Sequence, residues 1–316
     1  MDKQQLNEII TCLPRGRTLF HYFRDRYALM LLRDYVGEGK LISEIKGSAF
    51  ARLLDKPRIK AVLGRSGQTM ITSVVLDSLW PEDTKSFLLT LSRWGENDPD
   101  WDQTSRLGYN LVLQLNFSKQ HDKRYRALVK PSFDQYLNID GHPVMRRGRR
   151  KLFRETLAWS RIDLDFNTDE ALIEEIQSDW IRDANHLLFD ANWCKSKGEE
   201  RISWRAVEGK VDDIIDYCQN ILDPYRAIWD EAMLAATIGF IKHELGIKNI
   251  YYHSASTGYR VKRIRYWQPP RSLYSVLPRR FCFERTAEAP IFLKHSKHFR
   301  RVYRKIRNPQ WFHMAI

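Results

Sequence analysis

Residues 155–180 read ETLAWSRIDLDFNTDEALIEEIQSDW, and the spacing of their apolar side chains decides the fold. Leu157 and Trp159 share one phase of a two-residue repeat. Ile162, Leu164 and Phe166 share the other, and a one-residue change of phase inside a strand is what a β-bulge produces. The turn NTDE returns the chain into ALIEEIQSDW, so the stretch predicts a bulged hairpin. On the return strand a period of two puts Glu175, Gln177 and Asp179 on one face and Glu174, Ile176 and Ser178 on the other. A carboxylate at the centre of a sheet, facing a cleft, can act as general base on an amine provided burial and neighbours raise its pKa. The competing expectation is a polar network that pairs these acids with Arg161 or Arg182.

Working outward, FLLTLSRW (87–94) and NLVLQLNFS (110–118) alternate apolar residues and predict strands, with the polar stretch GENDPDWDQTSRLG between them as a long loop. Downstream, Asp223-Pro224 opens a long helix through Trp229, Met233, Ile238 and Ile241 that Gly246 closes, followed by the strand IKNIYYH (247–253). A short helix (RSLYSVLPRR), a strand (FCFERT), a basic helix and a terminal strand (WFHMAI) complete the chain. Upstream, Leu19, Phe20, Phe23, Tyr27, Met30 and Leu31 fall at helical spacing before Gly37, and Pro57 and the 70–79 segment continue the helical pattern. The expected fold class is therefore α+β or mixed α/β. A helical layer over 1–80 packs on a mixed sheet domain over 86–316, which carries a helical insertion near 180–222.

Ten Trp and 43% hydrophobic residues in 316 suit a chain that folds throughout. No apolar run approaches the ~20 residues of a membrane span, and the N-terminus is not a signal peptide, so the expected location is cytoplasmic with no membrane partner. Cys12, Cys194, Cys218 and Cys282 form no C-x-x-C pair and no zinc ligand set, which predicts reduced thiols and no metal. The formal charge of +13 favours polyanions: RNA, DNA, an acidic protein or a phosphorylated cofactor. One basic knot contains Arg146, Arg147, Arg149 and Arg150. Another contains Arg300, Arg301, Arg304 and Lys305, where Phe299, Val302, Tyr303 and Ile306 fall at i, i+3, i+4 and i+7, so one stripe can pack while the cations face outward. The segment STGYRVKRIRYWQPPR (256–271) interleaves Arg260, Lys262 and Arg263 with Tyr259, Tyr266 and Trp267 and reads as a loop suited to phosphates and stacked bases. Solvated surfaces and snorkelling arginines are the plainer alternative. His253, Ser254 and Ser256 follow a strand end, where α/β sheets commonly expose ligands.

From residue 86 onward the order strand, strand, bulged hairpin, helix, strand, short helix, strand, strand resembles an acyltransferase of the GNAT superfamily. Leu273-Tyr274 and Arg280-Phe281-Cys282-Phe283 stand where that family has the helix and entry to its last strands. The resemblance implies acetyl-CoA or another acyl-CoA as cofactor and Tyr274 as general acid. Glu175 would be the base, beside Gln177 and Asp179. His253, Ser254, Ser256, Arg260, Lys262 and Arg263 would lie around the coenzyme. The family's Gly-rich pyrophosphate turn after the bulged strand has no counterpart here, which leaves a non-enzymatic module binding nucleic acid or an acidic partner as the alternative. An ADP-ribosyltransferase acting on nucleic acid is a weaker one, because its Arg, Ser-Thr-Ser and Glu-x-Glu motifs are not seen. Locally, the run from Leu172 to Trp180 is similar to an EIQSDW signature of uncharacterised proteins encoded by phages and mobile elements.

Overall fold

The computed structural model describes residues 1–12, 18–66, 69–81, 83–95, 103–133, 136–138, 146–147, 150–151, 155–264 and 269–315. Eight strands form one mixed sheet: β1 (Thr18–Tyr22), β2 (Lys85–Trp94), β3 (Asn110–Asn116), β4 (Thr156–Asp165), β5 (Glu170–Gln177), β6 (Asn249–His253), β7 (Glu284–Thr286) and β8 (Trp311–Ala315). The spatial order is β1-β2-β3-β4-β5-β6-β8-β7. Every neighbouring pair is antiparallel except β5 and β6, which run parallel. The helices that matter below are α1 (Lys3–Cys12), α2 (Arg26–Val36), α3 (Pro57–Ser66), α4 (Lys119–Leu128), α5 (Asp179–Ser196), α6 (Trp229–Gly239), α7 (Ala255–Val261), α8 (Val276–Arg280) and α9 (Lys297–Tyr303).

The apolar alternation of β3 puts Leu111, Leu113 and Leu115 into the larger core, with Ile162 and Leu164 of β4 and Ala171, Ile173 and Ile176 of β5. The opposite face at β5 carries a smaller cluster of Leu172, Val261, Ala289, Phe292, Leu293, Phe299 and Trp311. Helices α2 and α6 thus pack on one face and α9 on the other, while α7 gives Tyr259 to the larger core and Val261 to the smaller cluster. Each fully buried large side chain contributes about 1.5–3 kcal/mol to this arrangement.

The hairpin β4–β5 forms as expected, but its irregularities are placed differently. Against β3, the extra residue of β4 is Leu157, since Leu115 pairs with Ala158 and Asn116 with Thr156. Between β4 and β5 the extra residue lies on β5: Arg161 faces Glu175 and Ile162 faces Ile173, which leaves Glu174 unpaired. Strand β5 ends at Gln177, so Asp179 opens α5 and does not stand on the strand.

The N-terminal segment departs from an all-helical layer. Residues 18–22 form β1, an edge strand paired with Ser86 to Leu89 and neighbours of β2, and the helix begins only at Arg26 after Asp25, whose φ is 65°. Phe20 and Tyr22 suit a strand, and ladder pairing overrides their helical spacing. The layer packs on the sheet domain: Tyr27 stacks on Phe281 at 4.3 Å, and the buried Glu231 of α6 accepts from Tyr22 Oη (3.3 Å), the Asp25 N–H (3.1 Å) and Arg280 (2.7 Å). The long helix expected from 223 is broken: a short turn at Asp223–Arg226 precedes α6, and a wide turn with Leu245 N–H bonded to Phe240 O follows it before Gly246 at φ 69°.

The insertion between β5 and β6 is anchored by Trp180 of α5. Its ring is fully buried, its Nε1 donates to Tyr217 Oη (2.7 Å), and Phe117, His121 and Tyr125 surround it. Trp180→Ala is expected to lower the unfolding free energy by about 3–5 kcal/mol in urea titrations, from lost packing and a cavity. A loss below about 1 kcal/mol, the scale of an ordinary surface change, would contradict this packing.

Candidate functional site

Strands β5 and β6 pair over four residues only, 170–173 with 249–252. The ladder then stops, and the carbonyl of Glu174 is taken by Lys262 Nζ (2.9 Å) from the end of α7. The bulge at Glu174 determines what fills this splay. Because Ile173 and Ile176 both enter the larger core, Glu174 and Glu175 turn together to the other face, where alternation without a bulge would have separated them.

Two adjacent buried carboxylates require compensation, since an unpaired buried charge is costly. Glu175 receives Arg161 Nη2 from the facing position of β4 and Lys262 Nζ at 3.5 Å. Arg161 also donates to Gln103 O (3.2 Å), and its guanidinium carbon lies 5.3 Å from the centre of the Trp94 ring and 5.8 Å from that of Trp159. Glu174 accepts from the Ser105 N–H (2.9 Å) and hydroxyl (2.8 Å), and from His253 Nε2 (3.0 Å). Burial pushes the Glu174 carboxyl up, but the His253 bond, the charge of His253 when it is protonated, the charge of Lys262 and the Ser105 N–H outweigh it and bring the group to about 2. Burial lowers His253, so a neutral imidazole donates from Nε2. Glu175 is likewise held below the usual carboxylate range, because Lys262 and Arg161 outweigh its burial. Burial lowers the Lys262 ammonium and the charge of Glu175 opposes that fall; with Lys262 and Arg161 as cations and both carboxylates ionised, the four charges sum to zero.

Ser105, His253 and Glu174 have the composition of a nucleophilic triad without its geometry. A triad puts the acid on one ring nitrogen and the nucleophile on the other. Here Ser105 Oγ and Glu174 Oε2 both meet Nε2, and His253 Nδ1 is buried with no partner among the described residues. The triangle fastens the 103–106 segment to the sheet, reinforced by Arg106, which grips Asp163 through two bonds of 2.7 and 2.9 Å. Helix α7 sits close enough that a Cβ on Gly258 would approach His253 Cβ to 2.9 Å.

Tyr274 and Tyr252 reach the same place from the larger core. Their rings lie 5.6 Å apart, Lys262 Nζ is 5.8 Å from the Tyr274 ring, and both hydroxyls are buried without a partner among the described residues. Burial, then the charge of Glu175, raises both phenols well above their ordinary value, so both stay protonated.

The expected site residues are therefore divided. Glu175, Lys262, His253 and Tyr274 converge on the splay. Gln177 and Asp179 form a second group: Gln177 Nε2 donates to Asp179 (2.6 Å), which also accepts from Trp159 Nε1 (2.9 Å) and pairs with Arg182 (2.9 Å). Both pairings of the competing expectation, with Arg161 and with Arg182, are thus present. Ser254 caps α7 through the Thr257 N–H and donates to Gln310 O (2.6 Å). Ser256 and Arg260 are exposed on α7, and Arg263 follows it at φ 56°, so residues 255–261 are helix and not the loop expected there. Arg300 and Arg301 of α9, with Arg304 and Lys305 after it, are exposed, and among the described residues none of the four pairs with a carboxylate. Arg146, Arg147 and Arg150 lie on a short two-stranded ribbon. Arg149, Tyr266 and Trp267 lie outside the described residues.

Ser105 and the joint orientation of Glu174 and Glu175 were not foreseen. The available signal was Arg161, a lone cation inside the strand LAWSRIDL, which needs a buried acid. Among the described residues, no group of three or more His, Cys, Asp or Glu could hold a metal ion, and no helix is long and apolar enough to cross a membrane. The chain matches no family model, no curated protein and no solved structure.

The low position of Glu174 has a pH signature. Its folded value of about 2 lies below the ordinary 4.5, so its stabilisation is fully present above pH 4.5 and is lost as pH falls toward 2. The stability advantage of the parent over Glu174→Gln is expected to shrink by on the order of 3 kcal/mol between neutral pH and that acid limit. Urea titrations of the two proteins across the range measure it, and a difference that does not change with pH would contradict the assignment.

Proposed function

We propose that this chain binds nucleic acid on a GNAT-like sheet, with α9 as the principal contact. The observation that carries the proposal is the α9 surface. Phe299 is buried and stacks on Tyr303 (4.7 Å), and Tyr303 Oη accepts from Trp311 Nε1 (3.2 Å), so one stripe of the helix is fixed to the sheet. The opposite side presents Arg300, Arg301, Arg304 and Lys305 with no carboxylate partner among the described residues, in a chain of net charge +13. Unpaired cations on a rigid support suit phosphates, and their affinity comes from counterion release.

The strand order and the single parallel pair with its splay support the GNAT-like part of the proposal. An acyl-CoA at that splay is less well supported. The first turn of α5, where a pyrophosphate would seat, carries the Asp179 carboxylate and is capped by Ser178 through the Ile181 N–H (3.1 Å). A second anion there would be repelled by Asp179 and find the donor already used. Glu175, held low between two cations, is a weak base. Acyl transfer stays as a second proposal on one observation, the two tyrosine hydroxyls at the splay that have no partner among the described residues.

Fluorescence anisotropy with a short RNA or single-stranded DNA across a salt series is the test. Tight binding at low salt is expected, with a steep salt slope that falls by about one unit per lost contact when Arg300, Arg301, Arg304 and Lys305 are changed to Ala. Binding indifferent to those changes would remove the α9 assignment. On this proposal acetyl-CoA leaves the melting midpoint where it is; a rise that Tyr274→Phe abolishes would favour acyl transfer instead.

A further inference from the structure

A cavity of about 170 Å³ opens in the N-terminal layer, with Arg24, Lys56 and Arg58 as its cations, Asp25 as its one carboxylate, and Leu29 and Ile59 as its apolar wall. That volume is several times the ~30 Å³ share of one water. It lies at the start of α3, a ten-residue helix whose first turn favours negative charge. One of the three cations is neutralised within the cavity, and the two arginines are not. Lys56 Nζ holds Asp25 at 2.7 Å, which uses the carboxylate of the cavity. Arg58 stands 3.8 Å from Asp83, and both side chains are largely exposed, so that pair contributes little. Arg24 is exposed and has no carboxylate partner among the described residues.

The cations are also held in place. The Arg58 guanidinium carbon lies 5.3 Å from the centre of the buried Phe23 ring, and Lys56 Nζ lies 5.2 Å from that of Tyr27. Tyr27 Oη is buried and has no hydrogen-bond partner among the described residues. Arg52, whose Nη1 donates to Arg279 O (2.8 Å), extends the positive rim toward α8.

We propose that this cavity binds a phosphate group, as a phosphomonoester or phosphodiester. Arg24 and Arg58 both line this small space, and their guanidinium forks suit a tetrahedral oxyanion, because forked donors bond two of its oxygens at once. The site belongs to the layer that packs with the larger core, whereas α9 packs with the smaller cluster on the other face of the sheet. It is thus a second anion site that does not rest on the nucleic-acid proposal for α9.

The test compares thermal unfolding in inorganic phosphate and in chloride at equal ionic strength, for the parent and for Arg24→Gln/Arg58→Gln. Phosphate is expected to raise the parent midpoint by about 2 °C or more over chloride, and the double variant to lose most of that rise. Both side chains are exposed, so the variant should melt like the parent in chloride. If it does not, phosphorus NMR line broadening reads binding without unfolding, and the variant should require a roughly tenfold higher phosphate concentration. The protein with the four α9 changes should keep the full phosphate response, which separates failure of this site from failure of the α9 proposal. An oligonucleotide with and without a 5′-phosphate distinguishes the source: preference for the phosphorylated end, lost in the double variant, assigns the site to a nucleic-acid terminus, and equal binding assigns it to a free phosphate compound. No phosphate response beyond chloride, or an equal response in parent and variant, would overturn the proposal.

Discussion

The Glu175 carboxylate, held between Arg161 and Lys262, is the interaction on which the rest of the structure depends. The bulge at Glu174 turns two neighbouring carboxylates into the same buried layer, and such a layer is tolerable only if its charge sums to zero. One cation comes from within the sheet, on β4. The other must arrive from outside it, and Lys262 reaches the place only if α7 lies tightly over the end of β6. Gly258, with no room for a Cβ against His253, is what that approach demands. The polar stretch before β3 is drawn in as well, through Ser105 on Glu174 and Gln103 on Arg161. The splay of β5 from β6, the seat of α7 and the path of the 103–106 segment thus follow from one electrostatic requirement.

The same requirement separates the chemistry of the interior from that of the surface. Inside, the splay is occupied by the chain's own charges, which hold Glu174 and Glu175 ionised, while burial keeps His253 neutral. Groups so strongly bound to one another give up little to a reaction, whereas Tyr252 and Tyr274 keep unspent hydroxyls beside them. Outside, α9 and the residues after it present four exposed cations with no carboxylate partner among the described residues, and Arg24 and Arg58 stand near the start of α3. Binding at those surfaces needs no opening of the splay. That is why the proposed function rests on the surface while the interior is read as scaffold.

Much of the sheet was legible because its rules are short-ranged. The alternation in NLVLQLN and the change of phase after Trp159 gave the strands and the presence of a bulge. The Arg161 and Arg182 pairings followed from the need of buried acids for partners. What stayed hidden depended on distant contacts. The segment TLFHY has helical spacing with its successors, yet it pairs with β2 because the sheet edge supplies a ladder that no local pattern records. The faces of Glu174 and Glu175 were misassigned because the extra residue lies on β5, a position fixed only by register with β4. Lys262 looked like one more cation in a basic loop. Its burial comes from the folding of 255–261 into a helix whose end points at the splay.

A double-mutant cycle on Glu175 and Lys262 tests the central claim most directly. Glu175→Gln leaves Arg161 and Lys262 against Glu174 alone, and Lys262→Met leaves two carboxylates against Arg161, so each single change buries one uncompensated charge and is expected to cost about 3–5 kcal/mol in urea unfolding. The double variant restores neutrality, with Arg161 against Glu174, and is expected to be no less stable than the worse single variant, a coupling of at least about 3 kcal/mol. Losses that simply add would mean that the two charges do not balance one another, and would contradict the account.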